Sequence, residues 1–312
     1  MHIFDNPIDG RLRAGWRLLI QLIAFLFLLL FSSFFLDDYL HYNMMLVWVS
    51  LIATLSVWFA GRALDYREIR EYGLILNEEW WKQFFVGFVL GGLAMAFIFI
   101  YYSAMGWVEF VGYGWERANN GNFWLAFIGY FLAMCSVGYY EELWTRGYQT
   151  RNLAEGLNYS WIKTDHAVLA ALVVTSVVFG LLHMGNPHVT NLSVFVIILA
   201  GVLFAIPYVI TGHLGMSIGL HISWNFFQGG IFGFPVSGVY NRSSILQVRT
   251  SGPEFWTGGM FGPEAGIMGL FTVLLLIALV IWYLKKIGYP LKVKPGFANW
   301  NRDHIRHNQR IN

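Results

Sequence analysis

Apolar residues along this chain come in long unbroken blocks, without the alternation of half-buried strands or the single stripe of a surface helix. Charge-free stretches cover Leu18–Leu36, Met44–Ala60, Phe84–Met105, Phe123–Tyr140, Ala167–Leu182, Leu192–Ile210, Leu214–Phe234 and Gly266–Leu284. A helix needs about 20 residues to cross the hydrocarbon of a bilayer. The pattern therefore predicts about eight transmembrane helices and an all-α, polytopic membrane bundle. Ala167–Leu182 is shorter than its neighbours, and Leu214–Phe234 carries a His and an Asn. The first stretch is too long for a signal-peptide core and lacks a small-residue cleavage site, so it reads as a span.

Composition supports this class. The 312 residues are 57% hydrophobic and 12% charged, against roughly 25% charged in soluble domains. A net charge of +2 is too balanced for a nucleic-acid partner, and one cysteine excludes a disulfide framework or a Cys-based zinc site. The basic residues also set an orientation. With the amino terminus inside, 17 of the 20 Lys/Arg face the cytoplasm and only Arg117, Arg242 and Arg249 face outward. Positive charge is retained on the cytoplasmic side, so a cell-membrane protein with both termini cytoplasmic is expected. No repeat or low-complexity linker divides the chain. Residues 1–312 read as one membrane domain, with an interfacial segment at Tyr66–Lys82, a partly re-entrant outer loop at Gly229–Ala265 and a basic cytoplasmic tail at 285–312.

Ionisable residues inside apolar spans are expensive and therefore informative. Three clusters interrupt the blocks: Glu141-Glu142-x-x-x-Arg146, Phe179-x-x-x-His183 and His221-x-x-x-Asn225. Glu142 and Arg146 share a helix face in the favourable acid-before-base order, and His221 and Asn225 lie one turn apart. Glu141 is rotated about 100° from Glu142, so the two carboxylates need not share a role. No breaker stands between Phe123 and Ala154, while Gly156, Asn158 and Ser160 supply a turn. An antiparallel hairpin centred near Trp161–Ile162 then sets Glu141 level with His183, deep in the bundle. Ending the span at Tyr140 would instead part them; the hairpin is preferred because the two residues then meet.

In order and spacing, the three clusters resemble the motifs of the CAAX-protease and bacteriocin-processing (CPBP) family of intramembrane proteases, itself similar to the type II CAAX prenyl endopeptidase. The flanks Arg146-Gly147-Tyr148, Phe179-Gly180-Leu181-Leu182-His183 and Ile218-Gly219-Leu220-His221 add to the likeness, which covers residues 80–238; Thr145 departs from the usual apolar residue. The resemblance implies a protease core, a membrane-associated peptide or protein substrate within the lipid bilayer, and Glu141, Glu142, Arg146, His183, His221 and Asn225 as its catalytic set.

Peptide hydrolysis needs an activated water and a site for the developing oxyanion. A carboxylate held away from water is a competent base. Glu141 with His183 could hold and deprotonate the water, Arg146 would fix Glu142, and His221 and Asn225 would stabilise the oxyanion. Spacing does not say which glutamate is the base. The preferred reading requires no cofactor, although Glu141, His183 and His221 could also ligate Zn²⁺ with an open water position. Cys135 has no accompanying His motif and reads as a packing residue. A proton-coupled transporter and a non-catalytic immunity or scaffold protein are the readings from other classes; the first lacks two related halves, the second conflicts with complete motifs.

Overall fold

A computed structural model gives the structure of residues 3–6, 10–36, 42–116 and 122–300. Arg117 and the basic residues of the tail within 301–312 lie outside the described residues. The chain opens with a two-stranded ribbon, β1 (Asp5–Asn6) with β2 (Arg11–Leu12), followed by α1 (Ala14–Leu36) and α2 (Tyr42–Ala60). Next come α3 (Glu78–Ala104) and β3 (Val108–Tyr113). α4 (Phe123–Glu141) runs through π-helical turns at Glu142–Thr150 into α5 (Arg151–Leu157) as one rod. α6 (Thr164–Leu182), α7 (Asn191–Thr211) and α8 (Gly215–Asn225) follow. β4 (Leu246–Thr250), the short α9 (Glu254–Thr257) and α10 (Ile267–Lys286) complete the order.

Local chemistry marks the helix starts. Asn77 and Asn122 accept the backbone N–H of Trp80 and Leu125, and Thr190 forms a reciprocal cap with Ser193. α7 stops at Gly212, whose φ of +78° suits glycine. The continuous rod from Phe123 to Leu157 and the turn before α6 match the hairpin geometry expected from the sequence.

Among the described residues, seven helices are long and apolar enough to cross a membrane. The remaining expected span, Leu214–Phe234, is shorter than expected: α8 is 11 residues long and continues only through π-helical turns at Phe226–Ile231. Every α8 residue is buried. Protein rather than lipid surrounds it, so it tolerates both His221 and a reduced length. Its main neighbour is α3, which it follows in parallel: Gly215 lies on Trp80, Gly219 on Phe84, Ser223 on Gly91 and Phe227 on Gly92. Side chains are excluded from this seam. A Cβ at Gly219 would stand 2.1 Å from the Phe84 carbonyl oxygen, and one at Gly87 2.3 Å from that of Met216. Such small-xxx-small pairs let backbones approach closely where lipid gives no hydrophobic drive to associate.

One end of the bundle gathers the starts of α1, α3 and α8 with the ends of α2, α5 and α10. Arg17 pairs there with Asp65 and Glu155, Arg11 with Glu155 at 3.1 Å, and Arg67 with Glu155. Tyr72 and Asn152 donate to Asp65. Trp300 lies under the Arg11 guanidinium at 4.1 Å and donates to the Asp65 carbonyl, so both terminal segments close on the same end. Arg11, Arg17 and Arg67, which the charge pattern assigns to the cytoplasmic side, are all buried in this network. At the opposite end, β3 and β4 pair antiparallel, and the loop between α8 and α10 folds back into the bundle, burying Phe234, Phe261 and Glu264.

Candidate active site

The π-helical turns begin at Glu142, at the middle of the α4–α5 rod, a departure common at functional sites. Glu142 is fully buried and its Oε1 accepts two bonds: from Arg146 Nη1 at 3.1 Å and from His221 Nδ1 at 2.9 Å. The other arm of Arg146 donates to the Gly201 carbonyl on α7 at 3.2 Å, and its guanidinium covers the Phe179 ring at 4.2 Å. Phe204 stacks on the His221 ring at 4.6 Å. α4, α6, α7 and α8 thus converge on one ion pair. With Arg146 and His221 both directed at Oε1, the carboxylate is the acceptor, so His221 donates from Nδ1 and presents Nε2 elsewhere.

That direction is towards Glu141, whose Oε2 lies 3.9 Å from His221 Nε2. Glu141 Oε1 accepts from Tyr140 at 3.2 Å, whereas Oε2 is buried without a hydrogen-bond partner among the described residues. The two adjacent glutamates therefore differ sharply: Glu142 is locked into the core, and Glu141 faces an enclosed space. His183 closes α6, and its Nδ1 is 2.8 Å from the Phe179 carbonyl, which can only accept. Its Nε2 is left as an acceptor. Asn225 follows His221 by one turn on α8 and is buried.

Glu141, His183, His221 and Asn225 line one cavity of about 520 Å³. The structure gathers the six residues singled out from sequence around this cavity, with Glu142 and Arg146 behind its wall. Glu141 and His183 share the space, but the imidazole within 4.0 Å of the Glu141 carboxylate is that of His221 rather than the one the hairpin argument favoured. Away from this polar end the walls are apolar, including Leu22, Phe25, Leu26 and Leu29 of α1 and Leu46 and Val49 of α2. Sequence reading passed over Tyr140, Ser237 and Glu264, which also line the cavity. The available signal was a lone acid in Phe261-Gly-Pro-Glu264-Ala265, a short apolar stretch inside the loop.

Both histidines give Nδ1 to protein acceptors, which leaves Nε2 of each for another partner and is compatible with ligation, while among the described residues no group of three or more His, Cys, Asp or Glu is placed to hold an ion.

Residues 122–227 match the family model described as Type II CAAX prenyl endopeptidase Rce1-like. No curated protein and no solved structure matches the chain. The matched segment runs from the cap of α4 to just beyond Asn225 and holds all three polar clusters in order. The likeness to the type II CAAX prenyl endopeptidases thus covers residues 122–227, the segment that carries the polar clusters.

Proposed function

We propose that this protein is an intramembrane endopeptidase that cleaves a membrane-associated substrate with a water activated by Glu141. The observation that carries the reading is the buried, unpartnered Glu141 Oε2 facing His221 Nε2 at the polar end of an apolar cavity. A water bonded to Glu141 and to the acceptor nitrogen of His183 gives its proton to Glu141 as its oxygen attacks the scissile carbonyl. Charge then gathers on the carbonyl oxygen. Asn225 Nδ2 and the His221 ring, held on its far side by Glu142, are the groups offered to it. Collapse breaks the C–N bond, and Glu141 returns the proton to the leaving amine. Arg146 touches no reacting atom; it positions Glu142 and, through it, His221.

The apolar walls from α1 and α2 suit a substrate that brings its own lipid or hydrophobic segment, as a prenylated CAAX tail or a membrane-bound leader peptide would. The charge asymmetry supports cytoplasmic termini, with the Arg11–Glu155–Trp300 end inside. Purified protein should be assayed with a fluorogenic farnesylated CAAX peptide. Hydrolysis by the parent, its loss in Glu141→Gln with the folded yield intact, and its survival of exhaustive chelation are expected. Full activity in Glu141→Gln, or a stoichiometric metal whose removal and return switch activity off and on, would refute this mechanism.

A further inference from the structure

Glu264 is a buried acid at the cavity that the proposed reaction does not use, and it lies beyond the segment matched by the family. Both its oxygens are occupied. Oε1 accepts from the Ser237 backbone N–H at 2.5 Å and from the Ser237 hydroxyl at 2.6 Å, and Oε2 accepts from Gln228 Nε2 at 2.5 Å. It is therefore not free to bind a cationic group of a substrate. What it grips is informative: Ser237 has a φ of +47°, a left-handed conformation that a non-glycine residue holds only when its surroundings enforce it. The Ser237 carbonyl accepts from Asn186 Nδ2 at 3.2 Å, and the Asn186 backbone N–H donates to the His183 carbonyl at 3.0 Å. A continuous chain of hydrogen bonds so joins Glu264 to the turn His183–Gly185 that ends α6.

We propose that Glu264 is a positioning residue for His183. It fixes Ser237 in its left-handed turn, Ser237 holds Asn186, and Asn186 restrains the turn from which the His183 ring enters the cavity. Burial raises the Glu264 carboxyl from its ordinary range, opposed by the bonds from Ser237 and Gln228 and by the nearby His183. The loop that reads from sequence as an outer connection thereby becomes a brace for one member of the catalytic set. This inference rests on the proposed role of His183 in water activation, so its test includes a readout that needs no substrate.

That readout is the rate at which diethyl pyrocarbonate modifies His183 in the purified full-length protein, followed by peptide mass spectrometry. His221, held separately by Glu142, is the internal reference. Glu264→Ala and Asn186→Ala should each change His183 modification several-fold and leave His221 unaltered. Glu264→Gln, which keeps an oxygen for Ser237, should stay near the parent. With the farnesylated CAAX peptide, both alanine variants should lose kcat by on the order of 10-fold to 10²-fold at nearly constant KM, as small misplacements of a reacting group do. Combined, they should be non-additive, since they cut one chain twice. Asn186→Ala removes a half-exposed side chain, so it reports even if Glu264→Ala does not fold. Unchanged His183 modification in Asn186→Ala, or additive losses in the double variant, would overturn the proposal. A parent that fails to cleave the peptide would refute the protease reading alone, and the modification rates would still decide the brace.

Discussion

Replacing Arg146 by Met is the perturbation whose outcome the structure fixes most tightly. Arg146 and Glu142 are 1% and 0% exposed, so the substitution leaves a carboxylate in the core with only His221 as a partner. Breaking a buried ion pair from one side costs about 3–5 kcal/mol. At 1.4 kcal/mol per factor of ten, the folding equilibrium should fall by roughly two to three and a half powers of ten. The Gly201 carbonyl also loses its donor, and the Phe179 ring its cation, which places the effect in the upper part of that range. Thermal unfolding of the detergent-solubilised protein should show a midpoint lower by on the order of 10 °C. The double variant Glu142→Leu/Arg146→Met removes both charges and should recover most of that loss, because apolar replacement of a buried pair is often neutral. It should not recover peptide hydrolysis, since His221 Nδ1 has then lost the carboxylate that orients it. A single variant within about 1 kcal/mol of the parent, or a double variant with normal turnover, would refute the claim that this pair exists to position His221.

Asn225→Ala should lower turnover by about 10²–10³ with KM nearly constant, as removal of an oxyanion donor does; a loss confined to KM would assign Asn225 to substrate binding instead. Gly219→Leu should prevent accumulation of folded protein, because its side chain would displace the Phe84 carbonyl, whereas Gly15→Ala, with open space around it, should be neutral to slightly stabilising in the same melting assay. Reporter fusions at the carboxyl terminus and in the loop near Arg249 should appear on opposite faces of the membrane, with the terminus inside; the reverse arrangement would invalidate the orientation.

The helices that face lipid were legible because hydropathy alone defines them, and the three polar clusters were legible because charge inside an apolar block is rare. The hairpin argument for a helix continuing past Glu142 holds for the same reason: nothing from Phe123 to Ala154 breaks it. Which ring meets which carboxylate was not legible. Helices apolar on every side give no preferred face, so the rotation that brings His221, not His183, within 4.0 Å of Glu141 comes from contacts such as Phe204 on His221. Arg11, Arg17 and Arg67 look like topology signals in sequence, and their shared partner Glu155 lies 88 to 144 residues away. Glu264 was hidden because a glycine- and proline-rich segment reads as an exposed loop, and only its return into the bundle reveals the acid as buried.

The glycine seam between α3 and α8 has a consequence for biogenesis. α8 carries His221, Ser223 and Asn225 on a helix too short to rest in lipid alone, and the partner that shelters it was synthesised more than a hundred residues earlier. Partitioning of such a segment becomes favourable only after α3 already stands in the bilayer with an open groove to receive it. Contacts of that sequence separation form late, since the entropy of closing the intervening chain must be met first. The two members of the proposed catalytic set that α8 supplies therefore arrive last. A nascent or partly assembled chain would hold its glutamates and His183 without the pair proposed to stabilise the oxyanion, so under the proposed function hydrolytic competence would coincide with completion of the fold and proteolysis by immature protein would be suppressed.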